Sequence, residues 1–264
     1  MTCGLRQKAT EKHFFIEGEQ VYPGSHADAI GKRKTMEDAA TVVGEIFGPK
    51  TQYYGVFDGH GGNGVSMYLA KELHGVLKQN YSPDIPIETV ITKSFQTINE
   101  KMIADFPNTG STASIALIIG DKITIANVGD TRILLLDTNN KVTRLSVDHN
   151  ISNKAEVDLV IQRGGTIMND RVNGVVSLTR SFGDGLQASS ISCEPNIVTI
   201  DRHDNEKLII ACDGVFEVLS DDVVGETYMK MNDPSKSARL IKDTAIKRGS
   251  GDNITVVCVS LTPK

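Results

Sequence analysis

Closely spaced cysteines are missing from this 264-residue chain. Cys3, Cys193, Cys212 and Cys258 form no C-x-x-C pair, which argues against a cysteine-built zinc site and suits a reducing compartment. A basic excess is missing too. The formal net charge is -5, a poor footing for nucleic-acid binding, and no nucleic-acid partner is expected. No apolar run approaches membrane-spanning length. The N-terminal MTCGLRQKATEK has no apolar h-region, and Thr2 stands where myristoylation requires glycine. The expectation is therefore a cytoplasmic protein, extending to the nucleus, with no membrane association. Low-complexity tracts, internal repeats and Pro/Ser-rich linkers are absent as well. This favours an N-terminal arm over residues 1–20 followed by one domain over 21–264.

Several catalytic signatures are also absent. There is no G-x-x-x-x-G-K-[ST], no H-E-x-x-H and no G-x-S-x-G. No cysteine begins a C-x-x-x-x-x-R loop, and Asp121 to Asp137 lacks the acid spacing of an EF-hand.

What is present is a mixture of strand-like and helical segments. TQYYGVF (51–57) reads as a strand running into the glycine-rich turn Asp58-Gly59-His60-Gly61-Gly62. Val65, Leu69, Leu73, Val76 and Leu77 recur at helical spacing, and a second helix is expected from about Ile87 to Ile103. Runs 113–119 and 122–128 flank Gly120-Asp121 as a hairpin. Residues 152–163 read as a helix closed by Gly164-Gly165. KLIIA (207–211) and 254–261 read as buried strands. Ser220 and Asp233-Pro234 open two further helices. Antiparallel-looking strand groups separated by blocks of helix argue for an α+β layered domain.

The informative positions are acids beside these strands: Asp58 after YGVF, Asp130 after ITIANVG, Asp213 after LIIAC, and Asp252 before NITVVCVS. A carboxylate next to a buried strand is costly unless hydrogen-bonded or bound to a cation. One such acid is ordinarily a turn residue, but four suggest strand ends meeting at a shared site. Glu37-Asp38 and His60, taken singly, read as a solvated charged pair and a loop imidazole. Oxygen donors with few histidines favour magnesium or manganese over zinc. Two such ions about 4 Å apart can lower the pKa of a shared water and make a nucleophile at neutral pH. Residues and spacing alone thus point to a hard-metal hydrolase without fixing its substrate.

The motifs RKTMED (33–38), YGVFDGHGG (54–62), GSTA (110–113), ANVGDTR (126–132), DHN (148–150), RVNGVVSLTRSFGD (171–184), IIACDGVFEVLSDDVV (209–224) and SGDNITVVCV (250–259) occur in that order. In these the chain resembles the type 2C family of metal-dependent serine/threonine protein phosphatases. The resemblance spans roughly residues 22 to 261. It implies a four-layer sandwich, two central antiparallel β-sheets flanked by helices on both faces. It also implies a phosphoprotein phosphatase using two Mn2+ or Mg2+ ions, with a weaker third, and no covalent phospho-enzyme. By position, Asp58 would bridge the two metals, Asp213 and Asp252 would complete the first site, and Glu37 with the carbonyl of Gly59 would hold the second. Asp130 would join Asp213 at the third. Asp38 would orient metal-bound water, Arg33 would grip the phosphate, and His60 would protonate the leaving oxygen. Asn253 would support its loop.

Two departures bear on substrate preference, a short loop between Asp184 and Glu194 and Ile151-Ser152-Asn153-Lys154 where the family's flap commonly has proline. A third, Lys32 where an aromatic residue is frequent, reads either as added positive charge near the phosphate pocket or as a solvated surface lysine. A two-metal nuclease and a non-catalytic scaffold are the competing readings. Acidic charge counts against the first and the intact acid set against the second. A monomer is expected.

Overall fold

The computed structural model describes residues 12–264, so the N-terminal arm lies outside the described residues over positions 1–11. The strands are β1 (Phe14–Glu17), β2 (Gly24–Ala29), β3 (Ala39–Gly44), β4 (Thr51–Phe57), β5 (Ala113–Ile119), β6 (Lys122–Val128), β7 (Arg132–Leu136), β8 (Val142–Arg144), β9 (Asn196–Asp201), β10 (Lys207–Ala211) and β11 (Ile254–Ser260). The helices are α1 (Gly64–Asn80), α2 (Ile87–Asp105), α3 (Lys154–Gln162), the single turn α4 (Asp213–Phe216), α5 (Asp221–Met231) and α6 (Pro234–Arg248). Some shorter two-residue strands are described below where they bear on the site.

One sheet has the order β1-β3-β4-β5-β6-β9 and the other β8-β7-β10-β11-β2. All of these pairings are antiparallel except β1 with β3. The exception follows from connectivity. Between β1 and β3 the chain crosses to the opposite sheet to make β2, so it re-enters the first sheet in its original direction. The arm expected over 1–20 thus contributes Phe14–Glu17 as an edge strand.

Both sheets are buried on both faces, because alternate side chains of one strand face different layers. In β10, Leu208 and Ile210 meet Val42, Tyr54, Val56, Ile118 and Ile125 of the first sheet, while Ile209 and Ala211 pack on Val224, Tyr228, Ile241 and Ala245 of α5 and α6. On the far side, Tyr53, Phe57, Ile115 and Leu117 pack against Leu69, Leu73, Leu77, Ile91 and Phe95 of α1 and α2. Each of the larger of these side chains contributes on the order of 2 kcal/mol by leaving water. The result is the four-layer sandwich expected from the resemblance.

Local chemistry sets the ends of these elements. The Ser220 and Asp233 side chains accept the amides of Val223 and Lys236 and cap α5 and α6, and Pro234 occupies the first turn, where no amide partner is needed. The helix expected over 152–163 is two residues later at its start, because Asn153 accepts the Ala155 amide and caps it there.

Candidate metal centre

Register brings the acids together. Ala39 pairs with Phe57, and Ala211 pairs with both Arg132 and Val256. The start of β3, the end of β4, the β6–β7 turn, the end of β10 and the start of β11 therefore share one end of the sandwich. Glu37 and Asp38 precede β3, Asp58 follows β4, Asp130 sits in the β6–β7 turn, Asp213 follows β10 through Cys212, and Asp252 precedes β11. A cavity of about 630 Å³ opens there. Glu37, Asp58, Asp130, Asp213 and Asp252 line it, together with Arg33, Gly59 and His60. Asp38 is not in the lining. It is only 1% exposed and lies against Asp58, behind the cavity wall.

The acids are crowded and dry. Burial pushes the Asp58 carboxyl well above the usual range, and the charges of Asp38, Asp213, Asp130 and Asp252 add to that. Burial also pushes Asp213 up to about 7, reinforced by Asp130 and Asp252 and partly offset by a hydrogen bond with Asp58. Asp130 is raised by burial, against the pull of the Asn150 amide 3.1 Å away. Glu37 is tethered differently. The Thr35 hydroxyl donates to its Oε1 at 2.8 Å and the Gly62 amide to its Oε2 at 3.0 Å.

The groups expected at the phosphate are already engaged. Arg33 Nη2 donates to Asp252 Oδ2. His60 Nε2 lies within hydrogen-bond distance of both Asp184 oxygens, at 3.0 and 2.8 Å. Asp184 also lines the cavity, and reading the sequence alone gives it no role. Its signal is its place at the end of SLTRSFGD, a motif without the long apolar strand that marks the other acids. Arg171, Val175 and Leu186 form further lining that spacing did not single out.

The family profile described as Protein phosphatase 2C matches residues 27–254. The chain belongs to the protein phosphatase 2C family. It is 34% identical over 252 residues to Protein phosphatase 2C homolog 1 of Saccharomyces cerevisiae, covering 87% of this chain and 89% of that one. Among solved structures, a C. elegans sex determining protein aligns with a TM-score of 0.85 at 26% identity, over 93% of this chain and 66% of that one. The serine-threonine phosphatase 2C of Toxoplasma gondii shares the fold, with a TM-score of 0.81 at 19% identity, over 92% of this chain and 95% of that one.

As a protein phosphatase 2C, the chain is a metal-dependent serine/threonine protein phosphatase, a hydrolase of the phosphoric monoester type. The family's manganese or magnesium, when bound, supplies an activated water that attacks phosphorus directly. The residues here fit such ions. Burial pushes Asp38 up to about 7, with Thr255 and Cys212 partly offsetting it, yet among the described residues Asp38 Oδ2 is buried without a hydrogen-bond partner. An orphaned carboxylate oxygen beside other buried acids is relieved by positive charge or by a water oriented through it. Cys212 Sγ lies within 4.8 Å of Asp38 and Asp58 ligand atoms, but it is not suited to the same ion. Its thiol is held protonated by burial, donates to Asn253 O at 3.4 Å and accepts from the Thr255 amide at 3.1 Å. A hard cation takes the carboxylates and leaves the thiol.

Proposed function

We propose that Asp58, Asp213 and Asp252 hold one divalent cation, that Glu37 and the Gly59 carbonyl hold a second, and that Asp58 is shared between them. Asp130 joins Asp213 at a weaker third site, and Asp38 acts from behind the cavity wall as an orienting group. The observation that carries this reading is the convergence of Glu37, Asp58, Asp130, Asp213 and Asp252 on one cavity.

Arg33 grips the phosphate of a phosphoserine or phosphothreonine side chain with its planar fork. His60 is the general acid. As the bond from phosphorus to the seryl or threonyl oxygen breaks, its electron pair stays on that oxygen, which takes the imidazolium proton and leaves as a hydroxyl. The attacking water leaves its oxygen and one proton on the inorganic phosphate. Its other proton returns to His60 through solvent, which closes the cycle.

The substrates on this reading are phosphoproteins of intracellular signalling, and the protein works as a monomer in the cytoplasm and nucleus, without nucleic-acid or membrane partners. The unpaired thiols of Cys193, Cys212 and Cys258 suit that reducing setting. The test is hydrolysis of a phosphothreonine peptide with manganese and with excess EDTA, alongside Asp213→Asn. Turnover that needs metal and disappears in the variant is the expected result. Folded protein with no turnover in saturating manganese would return the scaffold reading, and preferential cleavage of single-stranded DNA would return the nuclease.

A further inference from the structure

A miniature antiparallel sheet of two-residue strands, Gly59–His60, Gly110–Ser111 and Phe182–Gly183, crosses the cavity wall. His60 pairs with Gly110, and Gly110 pairs with Gly183. Asp184 follows at once and reaches back over Gly110 to the His60 ring. The middle position admits no side chain, because a Cβ on Gly110 would run into both the Asp184 carboxylate and His60 Nε2. Asp184 is 4% exposed and sits at φ 46°, in the left-handed region. Two contacts over-determine that conformation: its amide donates to Thr109 O at 2.9 Å, and the Ser181 hydroxyl donates to its Oδ2. A buried carboxylate held this firmly against a cavity-lining imidazole has one chemical consequence. It accepts the Nε2 proton, fixes the ring's tautomer and plane, and leaves Nδ1 as the nitrogen able to exchange a proton with substrate.

We propose that Asp184 is the positioning residue of the general acid: it orients His60 so that the Nδ1 proton passes to the leaving seryl or threonyl oxygen. The inference rests on the reading of His60 as that acid. The proton transferred is the one on Nδ1. After transfer, the neutral ring keeps Nε2–H on Asp184.

The readout is leaving-group dependence. A threonyl alkoxide needs a proton to leave, whereas p-nitrophenolate leaves without one. Asp184→Asn, whose side chain tolerates a left-handed backbone, should lower kcat on a phosphothreonine peptide by about 10- to 100-fold. The loss on p-nitrophenyl phosphate should be about tenfold smaller or less. His60→Gln should show the same selective pattern, and the double variant should be no slower than His60→Gln alone. Ser181→Ala, which removes one of the contacts holding Asp184 Oδ2, should show a weaker version of the pattern and guards against misfolding of Asp184→Asn. Equal losses on both substrates in Asp184→Asn and Ser181→Ala, while His60→Gln stays selective, would overturn the role of Asp184 alone. Equal losses in His60→Gln would overturn the acid assignment and this inference with it.

Discussion

Asn253 accepts the Glu37 amide proton on its Oδ1 at 2.8 Å, across 216 positions of chain. Its Nδ2 donates to the carbonyls of Ile30 at 2.9 Å and Thr35 at 3.0 Å. One buried side-chain amide therefore pins the strap that carries Arg33, Glu37 and Asp38 to the root of β11, beside Asp252. Asn253→Ala strands three backbone groups at once. The expected loss is about 2–3 kcal/mol of stability, seen as a lower melting temperature, with weaker manganese binding by calorimetry. Melting and manganese affinity both equal to wild type would mean the strap holds itself in place.

Asp58 and Asp213 make the metal-free protein sensitive to alkali. Their carboxyls are raised, Asp213 to about 7, so between the usual carboxylate range and about pH 7 the folded state binds more protons than the unfolded state. The stability this gives is fully present at low pH and is lost as pH rises through 7, on the order of a few kcal/mol. In excess EDTA the melting temperature should therefore fall from pH 5 to pH 8, and saturating manganese should offset the fall. Asp58→Asn should flatten the EDTA slope and abolish turnover. A variant that keeps near-wild-type turnover would refute the shared-ligand role.

Arg33 is about half uncovered, with its side chain 60% exposed, so its removal should cost the fold little. Arg33→Ala should raise KM for a phosphopeptide by about tenfold or more with a smaller change in kcat, because the phosphate loses its bidentate anchor in ground and transition states alike. Steady-state kinetics decide it: a large fall in kcat at unchanged KM would assign the guanidinium to the chemical step alone.

His149 acts in the opposite direction from the acids. Burial, with the nearby charge of Arg180, pushes its imidazole down to about 4, against the weaker upward pulls of Glu156 and Asp148. The unfolded chain takes up a proton near pH 6.5 while the folded chain does not. Stability is therefore whole above that pH and is lost as pH falls toward 4, by about 3 kcal/mol for this one ring. His149→Gln should remove that part of the acid slope in urea titrations run between pH 7 and pH 4. An unchanged slope would locate the acid sensitivity elsewhere.

Reading the sequence captured best what rests on one physical signal at a time. The β5–β6 hairpin is found at the expected residues because β-branched runs flank a Gly-Asp turn. The acids beside apolar strands could be singled out because burial beside a strand is expensive for a carboxylate. β2 was not foreseen, since GSHADA is polar and small, and only its pairing with β11 makes it a strand. β1 parallel to β3 was hidden for a similar reason: direction in a sheet depends on where the intervening strand goes. Asp184 escaped notice because its partner His60 is distant in sequence, and their meeting depends on Gly110 lying between them.

The contact between Arg33 and Asp252 carries a consequence for the order of events. An arginine built into the chain neutralises an acid that the proposed function assigns to a borrowed ion. On the proposed ligand set the two positive charges would compete for one carboxylate, so an ion on Asp252 would weaken its hold on Arg33. By reciprocity, a phosphate that captures Arg33 leaves Asp252 more hungry for its ion. On that ligand set, loading the ion and gripping the phosphate would be one exchange, and a substrate arriving first would meet an anchor still held by Asp252.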